Sequence, residues 1–208
     1  MKSKRLYLFL GLAMILQACA SKPVVQSGFQ KAQWETKAMI RDLRQNKTQN
    51  LDIDIFAIKN DRARFEVTAL LGFQVASLVM SASEIACAIY PEKKFYYGKN
   101  SEQALARLLN LPLHPMNLTY IAFDEPVRGP GWSCQKDSTT GLIANCTNMS
   151  RNITVEWKER NQGEKKVVIR APQFEMQWHF NAPQTEVQFK SDLFTLKQPE
   201  GFKAIQVN

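Results

Sequence analysis

Between residues 51 and 69 the chain repeatedly alternates apolar and polar side chains. Leu51, Ile53 and Ile55 are separated by Asp52 and Asp54, and Phe65, Val67 and Ala69 by Glu66 and Thr68. A period of two places one apolar face on each segment, which is the pattern of a half-buried strand. It returns at Ile153, Val155 and Trp157 and at Val167 and Ile169, and it is clearest in the stripe Phe174, Met176, Trp178 and Phe180. Shorter strands are expected from around Phe73, over residues 85–90 and 93–97 with Pro91-Glu92 as the turn, and near the end over 186–189 and 193–196.

The period changes once. Ser101 stands where a helix cap belongs, and Ala104, Leu105, Leu108 and Leu109 behind it share one helical face. Pro112 and Pro115 end that helix, and Leu118, Ile121 and Ala122 set a second short one over 116–123. The expected fold class is therefore mainly β with a helical insertion, a long antiparallel sheet curled around its helices as an unclosed half-barrel. Periodicity alone leaves open whether the interior is packed solid or holds a cavity.

The amino end has a different character. Lys2, Lys4 and Arg5 precede an apolar run over 6–16, and Leu16-Gln17-Ala18-Cys19 closes it. That order is expected for a lipoprotein signal over residues 1–18, with the Cys19 thiol carrying the lipid. Residues 19–28 are small and turn-forming and read as a tether, and 29–208 as one domain. The formal charge of +8 falls to about +5 without the three cations of the signal. The remaining charges mix both signs, as in Lys158-Glu159-Arg160, which fits weak attraction to anionic lipid head groups better than a nucleic-acid stripe.

Export would place Cys87, Cys134 and Cys146 where disulfides persist. Cys134 and Cys146 flank a polar, turn-like stretch, so a bridge between facing strands is expected, with Cys87 as a buried thiol; another pairing or three free thiols is the alternative. Catalytic chemistry finds little support. The two histidines, His114 and His179, are far apart in sequence, and neither a nucleophile-elbow motif nor a Gly-rich phosphate loop occurs. Neighbouring acids such as Asp52 and Asp54 fit the solvent face of a strand. Trp34, Trp132, Trp157 and Trp178 are expected as core or lid residues rather than a nucleic-acid stacking platform.

One connection is too apolar for a hairpin tip. Ala69-Leu70-Leu71-Gly72-Phe73 joins two expected strands, and Gly72 supplies the freedom of a turn. Exposed leucines there would cost solubility unless the tip meets lipid or protein; the alternative is that the segment folds over the sheet end as core.

The order of elements resembles the LolA/LolB lipoprotein-localisation superfamily, and within it the LolB-like outer-membrane receptors. The likeness is carried by the lipobox at Cys19, by Phe65-Glu-Val-Thr-Ala-Leu-Leu-Gly-Phe-Gln-Val75, and by the helical stretch 104–123 containing Leu111-Pro-Leu-His-Pro115. Residues 194–202 are similar to the closing segment of LolA-type chains. The resemblance implies an unclosed antiparallel barrel with helices as a lid and an apolar cavity for acyl chains, with Phe65, Val67, Met176 and Trp178 as cavity candidates. It implies a protruding Leu71 before Gly72, flanked by Leu70 and Phe73 as membrane contacts. A Cys134–Cys146 bridge is not among the features it implies. The implied partners are a LolA-type periplasmic carrier, acylated lipoproteins and the inner leaflet of the outer membrane of a Gram-negative bacterium. It implies a monomer with no cofactor, metal, nucleic acid or enzymatic activity. The alternative is a lipid- or protein-binding regulatory or structural envelope lipoprotein on the same fold that passes no cargo on.

Overall fold

The computed structural model describes residues 28–109, 111 and 113–207; the expected signal, Cys19 and the tether up to residue 27 lie outside the described residues. The first six strands are β1 (Lys31–Asp42), β2 (Lys47–Ile58), β3 (Arg62–Ala69), β4 (Gln74–Ser81), β5 (Glu84–Ile89) and β6 (Lys94–Lys99). Helices α1 (Glu102–Leu109) and α2 (Met116–Ala122) interrupt the run. It resumes with β7 (Trp132–Lys136), β8 (Ile143–Asn148), β9 (Ile153–Asn161), β10 (Glu164–Ala171) and β11 (Phe174–Phe180), and closes with β12 (Lys203–Val207). All twelve belong to one sheet in the order β12-β6-β5-β4-β3-β2-β1-β11-β10-β9-β8-β7, with β12 and β7 as its two edges.

The expected mainly β, unclosed architecture is thus present, with a central junction that the sequence pattern does not announce. β1 pairs with β2 from Lys31↔Ile58 to Asp42↔Lys47 and with β11 from Thr36↔Phe180 to Asp42↔Phe174, joining the two meanders. Its inward residues are Ala32, Trp34, Thr36 and Ala38, all buried, and three of the four are small or polar. Thr36 is needed for its hydroxyl, which donates to the Ile53 carbonyl at 2.7 Å and accepts the Trp178 indole N–H at 2.7 Å. A buried indole needs such a partner.

The carboxyl end departs from the expected pattern. Residues 186–189 form no strand, and 191–194 make a single 3-10 turn. This stretch crosses the outer face of the sheet instead. Phe189 stands 6.2 Å from Phe56, Arg64 Nη1 donates to the Leu193 carbonyl at 2.8 Å, and Phe202 meets Tyr90 at 5.5 Å. Because the chain crosses the sheet before pairing, β12 adds parallel to β6, the one parallel ladder among the described residues. Gly98 is required at that contact, since a Cβ there would lie 1.8 Å from the Val207 carbonyl oxygen.

The helices cover the concave face. Leu105, Leu113, Ile121 and Phe123 are fully buried against Trp34, Ile55, Ile169 and Trp178. A seven-residue helix has little stability alone, and α2 is fastened at its carboxyl end. The Lys165 ammonium, buried with its side chain 4% exposed, donates to the carbonyls of Ile121 at 3.0 Å and Ala122 at 2.5 Å and to the Asp124 carboxylate at 2.9 Å. Trp157 Nε1 also donates to Ile121 at 3.4 Å. Burial pushes the Lys165 pKa below 10.5, opposed by Asp124. Cys134 and Cys146 face each other across β7 and β8 and are bonded, while Cys87 is a free buried thiol whose pKa burial pushes up to about 12.

Lys165→Met keeps the stem and removes the ammonium, leaving buried carbonyls short of a donor. Urea unfolding is expected to show a loss of ~2–3 kcal/mol; a loss below ~0.5 kcal/mol would mean that packing alone holds the helix end. Replacing both Cys134 and Cys146 by Ala opens a loop of sequence separation 12 and is expected to lower stability by ~2–3 kcal/mol. The wild-type protein under reducing conditions should show the same loss.

Candidate functional site

Between the curled sheet and the helices lies a cavity of about 330 Å³, near the lower end of the ~300–1,000 Å³ typical of ligand sites. Phe65 and Val67 on β3 and Met176 and Trp178 on β11 all line it, so the structure brings the four cavity candidates together. They come from strands separated by β2 and β1, and only the curl of the sheet makes them neighbours. The lid contributes Leu105 and Leu108 of α1, Leu111, and Leu118 of α2. Sequence reasoning does not single out these lid residues as cavity lining, although the apolar face of α1 is the signal for two of them. Cys87 also lines the cavity, where it acts as a small apolar surface rather than a nucleophile.

Several of the lining side chains, Ile40, Leu51, Val67, Ile89 and Leu108, are only half-buried. Apolar groups in that condition gain free energy when an apolar guest covers them. Polar residues appear only toward the mouth, where Asp42, Gln45, Lys47, Gln49 and Gln173 line the wall. The cavity is therefore greasy within and polar at its lip.

The connection from β3 to β4 lies at the same end. Leu51 pairs with Ala69, and Val67 and Val75 on either side of the turn both line the cavity. Leu71 and Gly72 occupy the left-handed region, with φ of 66° and 77°. Hairpins that need two such residues normally use Asn-Gly, because a leucine there brings its Cβ too close to the backbone. Leu71 is nonetheless 87% exposed and Phe73 68% exposed, so neither side chain offsets the strain by packing within the chain. Leu70 belongs to the same turn, its side chain outside the described residues. The turn thus combines a strained backbone with an apolar side chain projected into solvent.

The histidines stay apart. His179 is exposed on β11, and His114 is half-buried in the loop between the helices, where its Nδ1 accepts the Met116 N–H at 3.3 Å and burial lowers its pKa. Among the described residues no group of three or more His, Cys, Asp or Glu side chains could hold a metal ion. Trp34, Trp157 and Trp178 are buried, and Trp132 packs half-buried against the core.

No protein-family model and no curated protein matches the sequence. Solved structures do share its architecture. A LolA superfamily protein from Nitrosomonas europaea superposes with a TM-score of 0.54 at 7% identity, over 81% of this chain and 91% of that one. An uncharacterized conserved protein from Thermus thermophilus gives 0.44 at 7% identity, over 84% and 90%. A domain from Vibrio parahaemolyticus described as a candidate outer membrane lipoprotein-sorting protein gives 0.48 at 6% identity, over 81% and 91%. The latter two likenesses are too distant to carry an argument, and the first concerns architecture alone. With its unclosed sheet, its two lid helices and its chain order, this protein has the fold of a LolA superfamily protein.

Proposed function

We propose that this protein is a lipid-anchored receptor of the outer membrane, facing the periplasm, that accepts acylated lipoproteins from a LolA-type carrier and inserts them into the inner leaflet. The observation that carries this reading is the coincidence at one end of the sheet of an apolar cavity and a strained, exposed Leu71. Cys19 would hold the anchor.

The physical logic is transfer between apolar phases. Each methylene of an acyl chain gains about 0.8 kcal/mol on leaving water, so a lipoprotein crosses the periplasm only under cover. The cavity offers that cover without covalent chemistry. Half-buried lining residues take up the chain, and the bilayer, the larger apolar phase, takes it over once Leu71 and Phe73 have joined the mouth to the membrane. A cavity of about 330 Å³ is small for several chains at once, so full loading requires the lid to move outward. An interior packed solid would have favoured a regulatory module on the same fold; the open cavity supports cargo binding.

The direct test offers a LolA-type carrier loaded with labelled lipoprotein to the non-acylated chain and follows the label by native separation. Stoichiometric transfer is expected; label that stays on a competent carrier would replace the receptor reading with a regulatory one. Leu71→Asn is expected to relieve the turn and stabilise the protein by ~1 kcal/mol, yet to reduce delivery into vesicles at least tenfold. Delivery at the wild-type rate would remove the turn from the mechanism. Ala76, buried and lining the cavity, replaced by Trp fills the space at a folding cost of ~1–3 kcal/mol. Binding of a fluorescent fatty-acyl probe to this variant should weaken at least tenfold, and unchanged binding would place the acyl site elsewhere.

A further inference from the structure

The hairpin joining β1 to β2 also stands at the cavity mouth. Asp42, Gln45 and Lys47 line the wall there, and because Leu51 is the β2 residue paired with Ala69, the hairpin extends past the Leu71 turn. The excess is four residues of strand, about 13 Å at ~3.3 Å each.

Its tip is held by several hydrogen bonds and carries a particular mixture of side chains. Asp42 accepts the amides of Arg44 at 2.8 Å and Gln45 at 3.1 Å, Arg41 Nη2 donates to Asn46 Oδ1 at 2.9 Å, and the Leu43 amide donates to the Gln173 carbonyl at 3.0 Å. The amide of Gln45, more than any other group, holds the Asp42 carboxyl below its ordinary pKa. Held this way, Leu43 is 43% exposed and is followed at once by an exposed Arg44. Arg41, Arg44 and Lys47 outnumber Asp42, the one carboxylate of residues 41–47, so the tip keeps a net charge of +2. The carboxylate nearest Arg44 is Asp42, at 4.0 Å and already engaged by backbone amides, and among the described residues no ion pair holds Lys47.

We infer that Leu43, Arg44 and Lys47 form a contact for anionic phospholipid, a second point of membrane attachment beside the Leu71 turn. An apolar side chain on a tip of net positive charge matches the boundary of a bilayer, where the chain enters the acyl region and the cations meet headgroup phosphates. An acidic protein would satisfy the cations equally well, but it would leave Leu43, Leu71 and Phe73 in water; a membrane covers all of them. The Leu71 turn carries no charge and supplies insertion, whereas the β1–β2 hairpin discriminates by headgroup. The inference rests on the reading of the cavity mouth as membrane-facing.

The test uses the non-acylated chain from residue 20 onward, which keeps the buried core of the described residues, Ala32 to Val207. Flotation is measured with vesicles of phosphatidylcholine alone and with vesicles containing about one-third phosphatidylglycerol. The wild type is expected to prefer the anionic vesicles, and added salt to weaken that preference. The double variant Arg44→Gln, Lys47→Gln is expected to bind anionic vesicles about thirtyfold more weakly, roughly fivefold for each cation lost, with binding to phosphatidylcholine unchanged. Wild-type affinity of this variant for anionic vesicles would overturn the contact and leave the hairpin for a protein partner. The acyl probe separates the two readings. If the wild type takes up the probe while the variant keeps its anionic-vesicle binding, only the headgroup contact falls; if the wild type takes up no probe, the receptor reading falls first.

Discussion

An unclosed sheet has a concave face that something must cover, and here the cover depends on one buried ammonium. The carbonyls that end α2 point into the protein where water cannot reach them, and Lys165 reaches from β10 to satisfy Ile121 and Ala122 while Asp124 balances its charge. Arg160 shares the same carboxylate at 3.3 Å. Unsatisfied carbonyls at a buried helix end would cost more than so short a helix gains by forming. With the end secured, Phe123 packs edge-on against Trp34 at 5.0 Å. Lid, core and cavity roof are then fixed in relation to β10.

The outer face depends on a different device. β4 is buried on both sides, Val79 as well as Leu78 and Met80, because the carboxyl-terminal segment crosses outside the sheet before returning as β12. Arg64 binds both the Glu66 carboxylate and the Leu193 carbonyl, linking that segment to β3. Glu66 also accepts the hydroxyl of Ser77 at 2.5 Å and the amide of Gln74 at 2.8 Å. These bonds brace the strands that carry the Leu71 turn. A turn in a costly backbone conformation persists only when its surroundings hold it there, and the network supplies that hold.

The mouth of the cavity therefore combines two kinds of element. The β3–β4 turn is strained, apolar and uncharged, and the β1–β2 hairpin is relaxed and cationic around a single leucine. Their separation along β2 gives the mouth a broad, uneven lip rather than a flat ring.

Much of this architecture was legible in the chain. Alternation revealed most strands, Ser101 and the prolines bracketed the helical insertion, and the polar stretch between Cys134 and Cys146 indicated their pairing. The apolar turn at Leu71 stood out because hairpin tips are normally polar. Other features had no local signal. β1 hides because Ala32, Thr36 and Ala38 face inward where the helices leave little room, and a small residue suited to a crowded site looks neutral in a hydropathy pattern. Residues 186–196 have the alternation of strands but cover the outside of a sheet already formed. The sequence by itself determined which faces are apolar, where turns fall and which tip is anomalous, since these follow from side-chain chemistry at short range. Only the tertiary structure decided that Phe65 and Trp178 share one cavity, that Lys165 closes α2, and that Leu43 borders the mouth, because curl and strand order bring together residues that no local period relates.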